Sequence, residues 1–170
     1  MDRISEIKEY VDDILCGIQD HTERWCAYSH LFGVSQTCAM IAAKRGENIE
    51  LATIAGLLHD IYEYQNYDCL EPLVHRPDHG IRNSELAYAM LIQMHLLDKD
   101  ELQTVCDAIK VHGYKDLVHT PFDEVIKDSD VFQKQINNIH TPIHPIHKER
   151  FMKLLQEFGL SWHSDIGLWK

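Results

Sequence analysis

The segment AGLLHDIYEY, residues 55–64, is a small, apolar run that ends in the polar pair His59–Asp60. Its apolar side chains recur at helical spacing, which predicts the last turns of a buried helix. Small residues at and around Gly56 leave one side of this helix thin, so that a second helix can approach closely. A carboxylate at the negative end of a helix is unfavourable. The position of Asp60 therefore argues against interpreting the pair as an ordinary capped helix end.

Apolar residues recur at three- and four-residue spacing along almost the whole chain, which predicts an all-α protein. We expect a single-domain helical bundle over residues 1–170, in which 147–170 form a C-terminal helix and tail. Loops are predicted at 65–78 and 138–147, where prolines block helix continuation. The predicted helices cover about residues 2–18, 23–45, 48–64, 80–96, 98–112, 122–137 and 147–158.

Composition excludes several classes of function. The formal net charge is −11, which repels a phosphate backbone and argues against polymeric nucleic acid as a partner. No apolar run is long enough to span a membrane, and the charged N-terminus lacks the features of a signal peptide, so a cytoplasmic protein is expected. Five Cys without a CxxC pair argue against disulfides or a Cys-based zinc site. The 12 His are unusual, and histidine is the commonest metal ligand.

Three further histidines fall on or beside the apolar faces of predicted helices. His30 lies four residues before Val34, His79 opens the helix over 80–96, and His112 continues the apolar stripe of the next helix. A histidine that faces the core needs partners for both ring nitrogens. Together with His59, these residues predict a shared site.

The acidic member of the site is not settled by spacing. Asp128 lies three residues after Val125, and Asp130 lies four residues after Ile126, so both approach the same apolar face. A carboxylate near such a face costs free energy unless it pairs with a cation or a metal. His75 is likewise a nearby alternative to His79.

A metal explains these residues together. We expect no Lys or Arg at core positions to compensate the carboxylates, which leaves a metal ion as their common partner. Imidazole and carboxylate ligands suit Fe, Mn, Zn, Co or Ni and do not identify which; Mg is a further option.

The order His30 … His59-Asp60 … Asp130 resembles the H…HD…D signature of the HD superfamily of metal-dependent phosphohydrolases. The segments AGLLHDI, CDAIKVHG and VIKDSDVF are similar to the family's motifs, and the likeness covers roughly residues 25–135. In the family's DAD segment the second Asp is usually the ligand, which implies Asp130 over Asp128. The resemblance thus implies an all-α HD-type fold with His30, His59, Asp60 and Asp130 as metal ligands.

His79-Gly80 and His112-Gly113 resemble the additional ligands of the symmetrical diadenosine tetraphosphate hydrolases, a small di-iron HD family. They imply one or two ions, with Asp60 as the bridging carboxylate. The same layout occurs in HD-type cyclic dinucleotide phosphodiesterases, whose GYP segment this chain lacks, and in a few di-iron oxygenases.

The resemblance implies hydrolysis of a phosphoester or phosphoanhydride by metal-activated water, in which Asp60 and Glu63 are catalytic and Glu63 orients the nucleophile. The implied partner is a small phosphorylated substrate such as a nucleotide, with no membrane partner; the oligomeric state stays open, a homodimer included. A di-iron oxygenase and a non-catalytic nucleotide-binding regulatory module are the alternatives. His140, His144 and His147 are interpreted as exposed imidazoles of a lid or loop, with a surface metal site as the alternative. The predicted phosphate-binding residues are Arg76, Arg82, Lys110 and Lys115.

Overall fold

The helices of the computed structural model lie close to the ranges predicted from periodicity. The structure describes residues 2–65 and 79–162, and these residues form no strand, in agreement with the all-α prediction. The helices are α1 (Arg3–Cys16), α2 (His21–Arg45), α3 (Ile49–Leu58), α4 (Ile61–Gln65), α5 (His79–Met94), α6 (Lys99–Val111), α7 (Pro121–Asn137) and α8 (Pro145–Glu157).

Short polar side chains begin most of these helices. Asp20, Asn48, Asp98 and Thr120 each accept a backbone N–H of the first turn, which satisfies a donor that the helix itself cannot pair. Gly46 ends α2 with φ of 76°, a left-handed conformation that glycine adopts without strain. The predicted stop at this glycine is confirmed.

Helix α3 is the centre of the bundle. All its residues from Leu51 to Leu58 are buried, and it packs against α1, α2, α6 and α7. A Cβ at Gly56 would lie 2.8 Å from the Cα of Ser35 on α2, so only glycine permits this approach. The expectation that a small residue brings a second helix close is confirmed.

The predicted single helix over 48–64 is wrong, because a turn at His59–Asp60 separates α3 from α4. The His59 ring places Nδ1 2.8 Å from the carbonyl oxygen of Gly56, a carbonyl that a continuing helix would pair with the backbone. The side chain of His59 therefore takes over a backbone acceptor at the point where the helix ends.

Helix α8 begins at residue 145, two residues before the predicted start. Pro145 occupies the first helical position, where the missing N–H costs nothing, and the preceding His144 caps the helix with its ring. Helix α8 packs on α7 through the buried Phe151. In the described part of the chain, every helix is too short or too polar to cross a bilayer.

Candidate metal centre

Six side chains predicted as ligands converge in the middle of the bundle. They come from α2, the α3–α4 turn, the start of α5, the residue after α6, and α7. Donor atoms of these residues form overlapping groups of three, in each of which all atoms lie within 4.8 Å of one another. The six residues are His30, His59, Asp60, His79, His112 and Asp130.

Asp60 lies between two halves of this cluster. Its Oδ2 is 3.3 Å from Nε2 of both His30 and His59, and its Oδ1 is 3.2 Å from Nε2 of His112. On the far side of His112, the Nε2 atom of His79 lies 3.1 Å from that of His112. The two carboxylate oxygens of Asp60 thus face different sets of imidazoles, which is the arrangement of a carboxylate that can bridge two ions.

Asp130 joins the half that contains His30 and His59. Its Oδ1 lies 3.6 Å from Nε2 of His30 and 3.8 Å from Nε2 of His59. Ligand atoms about 2.1 Å from a common ion lie roughly 3.0–3.4 Å from one another. The distances around Asp60 fall in this range, and those to Asp130 are a few tenths of an ångström longer.

Hydrogen bonds on the outer side of the rings fix how three of the imidazoles face the centre. Nδ1 of His59 contacts the Gly56 carbonyl at 2.8 Å, and Nδ1 of His112 contacts the Ile109 carbonyl at 2.6 Å. A carbonyl only accepts, so Nδ1 carries the proton in both rings. Their Nε2 lone pairs therefore point into the cluster.

Gln133 does the same for His30. Its Nε2 donates to the Ser29 carbonyl at 2.8 Å, which turns its Oε1 toward Nδ1 of His30 at 3.0 Å. The amide oxygen accepts the Nδ1 proton of His30, so this ring also presents Nε2 to the centre. Such outer partners are the usual means of orienting metal-binding histidines.

The donor set fits a cation. Nε2 of His30 and Nε2 of His59 lie 3.1 Å apart, and both rings already carry their proton on Nδ1. Asp60 Oδ1 is buried and accepts no hydrogen bond from the residues that the structure describes. Lone pairs that face one another in a buried space repel unless a proton or a metal ion lies between them. Nitrogen and oxygen donors of this kind suit a divalent transition metal.

The pKa values of His59 and Asp60 show the same preference for positive charge. Burial would lower the pKa of His59, but Asp60 and Asp130 outweigh it and raise that pKa above its usual value. Burial would raise the pKa of Asp60, but His59 holds it well below the usual range. For His112, burial dominates and lowers the pKa to about 4, so this ring is neutral at pH 7. A neutral imidazole and an ionised carboxylate are the forms that bind metal.

Two lysines also contact Asp130. Nζ of Lys115 lies 2.7 Å from Oδ2, and Nζ of Lys134 lies 3.0 Å from Oδ1. Burial would raise the pKa of Asp130, but these two lysines hold it well below the usual range. The expectation of no compensating lysine at core positions is wrong, because the side chain of Lys115 is only 7% exposed.

Asp128 has a different set of partners. Its carboxylate lies 2.6 Å from Arg45 on α2 and 2.6 Å from Arg150 on α8. These two ion pairs account for its burial without a metal. The choice between Asp128 and Asp130, open from spacing alone, thus has a structural basis.

The other predicted site residues lie at different places. Glu63 is buried on the first turn of α4, three residues after Asp60. Arg82 is half-buried, 5.9 Å from the ring centroid of Tyr62, and Lys110 is exposed on α6. Lys115 is the predicted phosphate ligand that the structure brings to the cluster, while Arg76 and the alternative ligand His75 lie outside the described residues.

Sequence reasoning missed three supporting residues. Gln133 and Lys134 follow Asp130 at positions i+3 and i+4, where a helix places side chains on the same face, so their spacing is a usable signal. The fully buried Asn83 accepts from the backbone N–H of Tyr62 and donates to the carbonyl of His79, which ties α4 to the start of α5. No local pattern in the sequence reveals that bridge.

The histidines near α8 are only partly the exposed group that the sequence predicts. His140 and His144 are exposed, whereas His147 is half-buried. His144 caps α8, and its ring centroid lies 5.5 Å from that of His147.

Comparison with known proteins places this arrangement in a family. The family model of the HD domain matches residues 27–135, which contain all six side chains of the cluster. Comparison with curated proteins gives no match.

Two solved structures share the fold. The crystal structure of a predicted HD superfamily hydrolase from an uncultured Thermotogales bacterium is 20% identical, with a TM-score of 0.64 over 93% of this chain and 90% of the other. That of a predicted HD superfamily hydrolase involved in NAD metabolism from Clostridium acetobutylicum is 18% identical, with a TM-score of 0.53 over 94% and 92%. With the matched region covering well over half of its length, the chain belongs to the HD domain family.

Proposed function

We propose that the protein is a metal-dependent hydrolase of phosphoester or phosphoanhydride bonds in a small phosphorylated metabolite such as a nucleotide. The observation that carries the proposal is Asp60, whose two oxygens face separate groups of inward-pointing imidazoles. The proposed ligands are the six residues of the cluster, and the metal is a divalent ion such as Fe, Mn, Zn, Co or Ni, with Mg as a further option. When bound, such an ion polarises phosphoryl oxygens and lowers the pKa of coordinated water.

The protein side chains supply orientation and charge. Imidazoles locked by Gly56, Ile109 and Gln133 hold their lone pairs in place, so little reorganisation is needed when the site is filled. Glu63, buried one turn after Asp60, is proposed to accept a hydrogen bond from the attacking water and to orient it.

The lysines at Asp130 favour an anionic substrate. The protein has a net charge of −11, yet Lys115 and Lys134 place two positive charges beside one carboxylate. Positive charges of this kind stabilise the charge that develops on a phosphoryl group during transfer. The relation to NAD metabolism stated for the Clostridium acetobutylicum protein is consistent with a nucleotide substrate. Arg76, Arg82 and Lys110 remain predicted phosphate ligands.

Phosphate release tests this proposal. Metal-loaded protein is incubated with mononucleotides, dinucleoside polyphosphates and generic phosphodiesters, and we expect turnover with at least one class. Lys115→Met should reduce kcat/KM at least tenfold, while Lys153→Met, which removes an exposed lysine paired with Glu149, should not. Oxygen uptake without phosphate release would favour the oxygenase alternative, and metal binding without any turnover would favour the regulatory module.

Three further predictions accompany the proposal: one HD-like domain over 1–170 with a C-terminal helix and tail, a cytoplasmic location, and the absence of polymeric nucleic acid as a partner. They rest on composition and on the helical pattern.

A further inference from the structure

A cavity of about 360 Å³ lies between the last turns of α7 and the first turn of α8. Its size is within the range of about 300–1,000 Å³ that is usual for small-molecule pockets. Lys134, whose Nζ is 3.0 Å from Asp130, lines this cavity, so the cavity adjoins the metal centre. His144 and His147 also line the cavity.

The lining differs in charge from the rest of the protein. The net charge of the chain is −11, yet none of the described residues that line the cavity is acidic. Lys134 pairs with the carboxylate of Asp130 at 3.0 Å. The same carboxylate also pairs with Lys115 at 2.7 Å. Lys134 is thus the charged side chain among the described residues that line the cavity.

Two more features of the cavity wall favour an anion. Helix α8 has 13 residues and begins here without an acidic residue in its first turn, so its positive end is not neutralised from within. Nδ1 of His144 accepts the backbone N–H of Ile146, which leaves its proton on Nε2 as a donor to a ligand.

The larger cavity of about 600 Å³ on the other side of α8 is less favourable for an anion. Its arginines are matched by carboxylates, because Arg45 pairs with Asp128 and Glu157, and Arg150 pairs with Glu124 and Asp128. The smaller cavity is therefore the better candidate for an anion.

We propose that the cavity between α7 and α8 is a phosphate-binding subsite, in which Lys134, His144 and His147 hold a phosphate that is not cleaved. It rests on the proposed function, because the adjoining metal centre is where the scissile phosphate binds. His144 and His147 lie outside the residues 27–135 that the family model matches, whereas Lys134 lies within them. The phosphate belongs either to a substrate with a second phosphoryl group or to free inorganic phosphate.

The test uses the metal-loaded protein and the double variant His144→Asn/His147→Gln. Asparagine keeps the capping role of His144, and both changes keep a polar side chain. The matched control is His140→Asn, an exposed histidine of the same segment that does not line the cavity. Thermal unfolding confirms that each variant is folded.

Inorganic phosphate and pyrophosphate are titrated by calorimetry, and KM is measured for substrates with one and with two phosphates. We expect the double variant to weaken binding of at least one probe about tenfold, from two lost hydrogen bonds to an anion, while the control binds normally. A tenfold higher KM for the doubly phosphorylated substrate alone, with kcat unchanged, assigns the subsite to the substrate. Weaker binding of inorganic phosphate with an unchanged KM assigns the subsite to free phosphate.

Unchanged affinity for both probes and unchanged KM in the double variant would overturn the subsite. Failure of the proposed function gives a different result. In that case the wild-type protein releases no phosphate from any substrate, while the loss of phosphate binding in the double variant is still measured.

Discussion

Gln133 offers a direct test of how the outer hydrogen bonds support the metal centre. Its amide links the Ser29 carbonyl to Nδ1 of His30, and it is buried against Gly33, where a Cβ would lie 2.5 Å from the amide nitrogen. Gln133→Met keeps the length of the side chain and removes both hydrogen bonds. At about 0.5–1.5 kcal/mol per bond, the free energy of unfolding should fall by about 1–3 kcal/mol. Loss of an outer partner also weakens metal affinity about 10- to 100-fold.

Gln135→Met is the matched control on the same helix. Gln135 is equally buried, and its amide donates one hydrogen bond to the Thr141 carbonyl at 3.0 Å without contacting the cluster. Chelator competition with Zn²⁺ measures affinity, and thermal unfolding of the metal-free protein measures stability. We expect both variants to lose stability and only Gln133→Met to lose affinity. If both variants bind Zn²⁺ as tightly as the wild type, Gln133 does not orient a ligand.

The remaining predictions concern stability and packing. Asp128→Asn should lower the free energy of unfolding by about 1–3 kcal/mol with metal content unchanged, because its two arginines keep other carboxylate partners; loss of metal would contradict its structural role. Burial would raise the pKa of Glu124, but Lys127 and Arg150 lower it from 4.5 to about 2. The contribution of Glu124 to the free energy of unfolding is therefore complete above pH 5 and is lost as pH falls toward 2. Chemical denaturation across this range should show a smaller pH dependence for Glu124→Gln. Gly80→Ala should lower the free energy of unfolding by about 1–3 kcal/mol and disturb His79, since the new Cβ would lie 2.5 Å from the Lys110 carbonyl oxygen. A melting temperature equal to that of the wild type would refute this prediction.

Helical periodicity predicts most of the fold because each helix buries one apolar face. It fails at His59–Asp60, where one continuous helix was expected over 48–64. The apolar pattern continues through Ile61, so spacing alone gives no signal of a break. At the break the His59 ring contacts the Gly56 carbonyl, a side-chain contact that periodicity does not contain.

The sequence predicts the ligand residues of the site better than it predicts the residues that surround them. Asp128 and Asp130 lie on the same helix and differ only in partners that come from distant parts of the chain, arginines in one case and imidazoles in the other. Lys115 is predicted from the sequence only as a phosphate-binding residue. Its burial beside Asp130 follows from the path of the α6–α7 connection, which helical patterns do not define.

Metal content of the purified protein, compared between wild type and Asp60→Ala, tests the central claim most directly. Asp60 contributes oxygens to both halves of the cluster, so its loss removes a ligand from each. We expect the wild-type protein to bind a divalent transition metal and Asp60→Ala to lose most of it while remaining folded by circular dichroism. Asp60→Ala with the wild-type metal content would show that the cluster around Asp60 is not the metal centre.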